Sequence, residues 1–254
     1  MGEGPCWLCE GRDSSACVIC GPERPVEEGA SLLGQDGWCC QEDSEARFGG
    51  WTKTTTEDLY WELLLETEAL LRSDSNLALE RAERCARNLE QLSSDQVAQL
   101  RCLAYAQLAR CHLARQEYTL LVEDCKRYAR LREEAEGSLL EKFEAEVAPL
   151  GPLATLGAAA ELATSCRAAV TDGFAPKVVL DHASRALSGV QLLPLSAFPG
   201  LPALRAHLYA SRCQACLELE KWREAKQDAT SALQCDPDMK EAKYLLRAAE
   251  SESW

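Results

Sequence analysis

From Thr54 to Trp254 glycine almost disappears, while apolar residues recur at steps of three and four. A stripe with that spacing lies along one face of an α-helix, and no segment alternates with period two long enough to build a sheet. The spacing therefore predicts an all-α body over 53–254. Thr54-Thr55-Thr56-Glu57 offers a capping box, with Thr at the cap and Glu three residues on. The helix it opens runs to Arg72 with Leu59, Leu63 and Leu70 inside, and Ser73 to Asn76 breaks it. Further helices are expected over 77–92, 96–114 (capped by Ser93-Ser94-Asp95), 118–136, 149–170, 175–192, 203–219, 222–235 and 240–249. Glu136 to Pro149 reads as a polar connection, Asp172-Gly173 as a turn, Pro176 as a first-turn proline, and Pro194 to Pro202 as a loop.

Residues 1–52 have a different texture. They hold 9 of the 15 glycines, 6 of the 14 cysteines, and 10 acidic against 3 basic residues. A segment so short and glycine-rich cannot bury enough surface to hold together by packing alone. Its spacing Cys6-x2-Cys9-x7-Cys17-x2-Cys20 suits a tetrahedral metal, because each short turn directs two thiolates at one centre. Four thiolates would close the shell of a structural Zn2+ with no open position for catalysis. A disordered leader with reduced thiols and a disulfide framework stay open beside this reading. The run Cys17 to Pro25 resembles the tail of Ran-binding-protein-type zinc fingers, C-x2-C followed by G-x2-R-P. That resemblance implies a module reading ubiquitin or single-stranded RNA. The spacer is shorter than the family's, and Glu10-Gly11 stands where ubiquitin-binding members carry Thr-Phe. Cys39-Cys40 beside Trp38 offers part of a second site, truncated because no histidine precedes His112.

Paired helices joined by tight polar turns invite a search for a period. Residues 206–239 carry Tyr209, Arg212, Cys213, Cys216, Ala225, Ala229, Ala232 and Pro237 at the key positions of a 34-residue helix–turn–helix. The segment resembles a tetratricopeptide repeat. Tyr105, Leu108, Ala109, His112, Tyr118, Leu121, Cys125 and Tyr128 repeat the spacing without the final proline. Ala78, Ala82 and Cys85, and then Val179, Ala183 and Ala186, carry the second-helix half of the signature. The resemblance implies a right-handed stack of about four hairpins with 240–249 as a polar capping helix. An irregular helical bundle with the same small residues is the alternative.

Stacked hairpins expose a groove lined by their first helices, which takes a peptide or a helix of another protein. The groove-facing positions are expected at Leu103, Ala106, Arg110 and Leu113 on the second hairpin and at His207, Ala210, Ser211, Gln214 and Leu217 on the fourth. The co-chaperones of this family grip a C-terminal carboxylate with Asn, Lys and Arg. Those places hold Ser211, Glu241 and Leu245 here, so a co-chaperone without that clamp is a secondary expectation.

The formal net charge of −14 argues against a polyanion binder and favours a basic protein segment as partner. No apolar run approaches the roughly 20 residues that span a bilayer, and the N-terminus lacks a signal-like apolar stretch. Many cysteines without an export signal point to a reducing compartment, the cytoplasm first and the nucleus second. Phosphate-binding loops, nucleophile elbows and zinc-protease motifs are absent from the sequence, and the remaining cysteines fall at inner-face helical spacing. Cys111 and His112 are neighbours, which on a helix sets their side chains about 100° apart. The expected function is thus a non-enzymatic adaptor, with a ubiquitin- or RNA-reading zinc module on a helical scaffold as the alternative.

Overall fold

The computed structural model describes residues 55–92, 96–135, 138–171 and 175–251. The cysteine-rich segment 1–52, including Cys6, Cys9, Cys17, Cys20, Cys39 and Cys40, lies outside the described residues, as do the expected cap at 93–95 and turn at 172–173. The chain divides into two units, 1–62 and 63–254, and the second contains the helical hairpins.

Among the described residues the structure is all-helical. In order come α1 (Thr56–Ser73), α2 (Ser75–Glu90), α3 (Gln96–Ala114), α4 (Tyr118–Glu134), α5 (Ser138–Glu146), α6 (Leu153–Thr171), α7 (Pro176–Val190), α8 (Leu201–Glu218), α9 (Trp222–Cys235) and α10 (Lys240–Ser251). The box that opens α1 sits one residue later than expected. Thr55 N–H donates to Asp58 Oδ2 at 3.0 Å and Asp58 N–H to Thr55 Oγ1 at 3.1 Å, so the shorter Asp serves where Glu was anticipated. Only Asp74 separates α1 from α2, and its carboxylate accepts from the Asn76 and Leu77 amides. The connection expected from Glu136 to Pro149 instead contains α5. It is short and mostly polar, but it buries Leu140 and Phe143 and packs on α3. Two anchoring side chains in nine residues are too few to stand out as a period.

Neighbouring helices pack together, α2 on α3, α3 on α4, α6 on α7, α7 on α8, α8 on α9 and α9 on α10, with α4 reaching past α5 to α6. First helices also meet, α6 with α8 and α8 with α10. The packing of successive helices is repeat-like, with one buried stripe at i, i+4 and i+7 on α2, α4, α7 and α9. Ala78, Ala82 and Cys85 form it on α2, and Leu121, Cys125 and Tyr128 on α4. Val179, Ala183 and Ala186 form it on α7, and Ala225, Ala229 and Ala232 on α9; all twelve are buried. Small side chains there let helices approach closely. Gly157 of α6 is the extreme case, since a Cβ on it would lie 2.7 Å from Cys125 Cβ of α4.

The second and fourth hairpins share a turn in the same register. Gln116 (φ 61) matches Glu220 (φ 59) as Tyr105 matches Tyr209. Glu117 N–H donates to His112 O at 2.9 Å, and Lys221 N–H donates to Cys216 O at 2.8 Å. Non-glycine residues enter the left-handed region at a cost of about 1–2 kcal/mol, and the two turns share this uncommon backbone solution. Arg212 stands as a charged residue among the mostly apolar key positions. It stacks over the Tyr209 ring and grips buried Asp228 of α9 through Nε and Nη2, at 2.8 and 2.6 Å. The hairpin is thereby clasped by a bidentate pair.

Candidate partner-binding face

The first helices α3 and α8 carry the positions expected to line a groove. On α3, Leu103, Ala106, Arg110 and Leu113 are all buried, with Arg110 only 1% exposed. On α8, His207, Ser211, Gln214 and Leu217 are half-buried, and Ala210 is buried. The expected face therefore splits into a covered part and a partly open part.

Two segments of the chain itself cover the α3 part. The first is α1. Glu68 accepts from Arg110 Nη2 at 2.7 Å, and Gln107 Nε2 donates to Leu64 O at 3.3 Å and lies 3.4 Å from Glu68 Oε2. The second is the connection 191–200 between α7 and α8. Its Phe198 is fully buried with the Arg110 guanidinium 5.3 Å from the ring centre. Its Gly200 has φ 88, and a Cβ there would meet Leu113 O at 2.3 Å and Ala114 Cα at 2.7 Å. Only glycine combines that backbone conformation with so close an approach. This contact begins α8 at Leu201, two residues before the expected start, with Pro202 taken into the first turn.

The connection is itself well held. Arg205 Nη2 donates to the carbonyls of Val190, Gln191 and Leu193, which gathers the end of α7. A 3-10 turn, Leu195–Ala197, lies within the expected loop. Outward from this ordered backbone, Leu192 is 90% exposed and Leu195 48% exposed. Inward, Arg110 Nε and Nη1 and Gln107 Oε1 are buried without hydrogen-bond partners. Burial pulls the Arg110 guanidinium below its ordinary pKa, and Glu68 beside it opposes that shift. Sequence reasoning missed Glu68, Gln107 and Phe198. A faint signal was present: Ala197-Phe198-Pro199-Gly200 sets a large aromatic and a glycine inside a connection too long for a tight turn.

At the open part, His207 ties α8 to the α3–α4 turn. Its Nε2 lies 3.1 Å from Gln116 Oε1, and its ring meets Tyr118 edge-on at 6.0 Å. Burial, followed by the charge of Arg167, lowers the His207 pKa, which favours a neutral imidazole. Arg167 of α6 stacks over the same Tyr118 ring at 5.1 Å. Gln214 Nε2 donates to Glu218 Oε1 of its own helix, at 3.5 Å. Around α8 the face thus offers hydrogen-bonding side chains between Arg167 at one end and Glu218 at the other.

A second polar cluster closes the α3–α4 hairpin. His112 Nδ1 lies 2.7 Å from Glu117 Oε2, and its Nε2 lies 3.4 Å from Asp124 Oδ2. Burial raises the Asp124 pKa to about 6, with His112 opposing. The neighbouring Cys111 is fully buried, and burial pushes its thiol up to about 12, which leaves no thiolate for nucleophilic chemistry at neutral pH. Cys85, Cys102, Cys125 and Cys213 are raised to the same level by burial.

Among the described residues no cluster of histidines, cysteines and carboxylates could hold a metal ion, and no helix is long and apolar enough to cross a membrane. No protein-family model, no curated protein and no solved structure matches this chain.

Proposed function

We propose that this chain is a non-enzymatic adaptor built from tetratricopeptide-like hairpins, and that it holds a protein partner on the α8 part of its first-helix face. The observation that carries the reading is the repeated stripe and turn. A stack built on one repeated contact is rigid, and a rigid face loses little ordering entropy on binding. His207, Ser211 and Gln214 are the contact residues, and they act by hydrogen bonding. The net charge of −14 acts at longer range, favouring partners with basic segments and making association weaken as salt rises. Leu103 and Arg110, expected beside them, serve the covered part instead. Cys6, Cys9, Cys17 and Cys20 are assigned one structural zinc ion.

The test is affinity capture with full-length protein at low salt, repeated with Ser211→Arg and Gln214→Arg together. Both positions are half-buried on an outward helix face, so helicity and melting temperature should hold while capture falls at least tenfold. Equal capture by the double variant would overturn the assignment of the face. Native mass spectrometry reads the zinc separately, and a chain mass without metal would remove that assignment.

A further inference from the structure

We infer that the connection 191–200 is a strap, closed over the inner face of α3, that opens as a local unit while the hairpins stay folded. It adds to the adaptor reading in one respect: an open strap would extend the partner face from α8 onto the side of Arg110 that Phe198 covers. The opening itself can be measured without any partner.

Three features of the closed strap point the same way. Phe198 is its one deeply buried side chain, since Leu192 and Leu195 face outward and the flanking Leu193, Ala197 and Pro199 are only half-buried. A single aromatic therefore carries most of the closure. The surface beneath Phe198 is polar: the Arg110 guanidinium lies 5.3 Å from its ring centre, and Arg110 Nε and Nη1 have no hydrogen-bond partners while the strap is closed. Lifting Phe198 admits water to these groups, and their hydration offsets much of the apolar exposure. The ends of the strap, finally, are fixed independently of its middle. Arg205 holds the carbonyls of Val190, Gln191 and Leu193 at one end, and Gly200 is seated against Leu113 and Ala114 at the other. The segment between them is tied by few backbone bonds, Ala197 N–H to Pro194 O at 3.2 Å and Leu201 N–H to Phe198 O at 3.0 Å. Well-fixed ends with a weakly bonded middle, closed by one side chain over orphaned polar groups, make a segment that opens below the global unfolding free energy.

Native-state hydrogen exchange on the full chain tests this across a low-denaturant series. The amides of Ala197 and Phe198 should exchange about 100-fold faster than those of Leu108 to Leu113, with a shallower denaturant dependence. Phe198→Ala should speed strap exchange by at least another tenfold while exchange in α9 and α10 stays within about twofold. If the strap amides of the wild-type protein exchange only with global unfolding, at the same free energy and slope as α3, the strap is a fixed part of the core and the inference fails. That wild-type measurement decides the matter even where Phe198→Ala does not fold. A strap that opens while Ser211→Arg with Gln214→Arg leaves capture unchanged would refute the adaptor face and leave the strap standing.

Discussion

Gly157→Ala should destabilise the protein even though it improves helix propensity. In an exposed helix interior the change would gain about 1 kcal/mol. At this position the new Cβ lies 2.7 Å from Cys125 Cβ and 3.3 Å from its Sγ, against the 3.5–4.0 Å at which carbon atoms rest. Cys125 cannot turn its Cβ away, so α4 and α6 must separate by close to 1 Å along a contact that joins two hairpins. Overpacking of this kind costs about 1–3 kcal/mol, and the upper end applies because the clash is rooted in two backbones. The net loss should be about 2 kcal/mol, or roughly 4–8 °C in melting temperature for a body of this size. Gly189→Ala is the control. There the new Cβ meets only the Thr155 Cγ2 methyl at 3.2 Å, a side-chain end that can give, so stability should hold within about 0.5 kcal/mol. Urea denaturation of both variants supplies the measurement, and combining Gly157→Ala with Cys125→Gly should recover at least about 1 kcal/mol as coupling energy. A Gly157→Ala protein as stable as wild type would show that α4 and α6 do not pack this closely.

Two further outcomes follow from the buried polar groups. Asp124 has its folded pKa raised from 3.8 to about 6, so the native state holds this proton more tightly than the unfolded chain does. Its contribution is favourable below about pH 4 and is lost as pH rises toward 6. Relative to Asp124→Asn, wild-type stability should therefore fall by up to about 3 kcal/mol between pH 4 and 7 in urea melts, and a constant difference would refute the placement. In the Arg212–Asp228 clasp the carboxylate is the more buried partner, its side chain 5% exposed against 28% for the arginine. Arg212→Ala should cost about 3–5 kcal/mol by stranding a buried charge, whereas Asp228→Asn lets the guanidinium turn to water and should cost about 1–2 kcal/mol. Equal costs in denaturation would contradict the asymmetry.

Much of the body was legible in the sequence, because what periodicity reports is local. The stripes on α2, α4, α7 and α9 are set by side chains three and four residues apart on one helix, and burial follows that spacing on all four. Pro176 entering the first turn of α7 and the polar turns around Gln116 and Glu220 are local in the same sense. Helix α5 escaped because nine residues hold too few apolar positions to define a face.

What lies over α3 was decided by tertiary structure alone. Gln107 and Arg110 lie three residues apart on one side of the helix, and a polar side ordinarily meets solvent. Every residue from Cys102 to Leu113 is nevertheless buried. Glu68, which pairs with Arg110, lies 42 residues away in sequence, and Phe198 and Gly200 reach α3 from beyond four intervening helices, α4 to α7. Composition and spacing thus settled that helical hairpins would form and which stripe each would bury. Which face stayed partly open depended on long-range contacts, because the cost of burying a charge is set by whatever packs against it, and no local pattern encodes that neighbour.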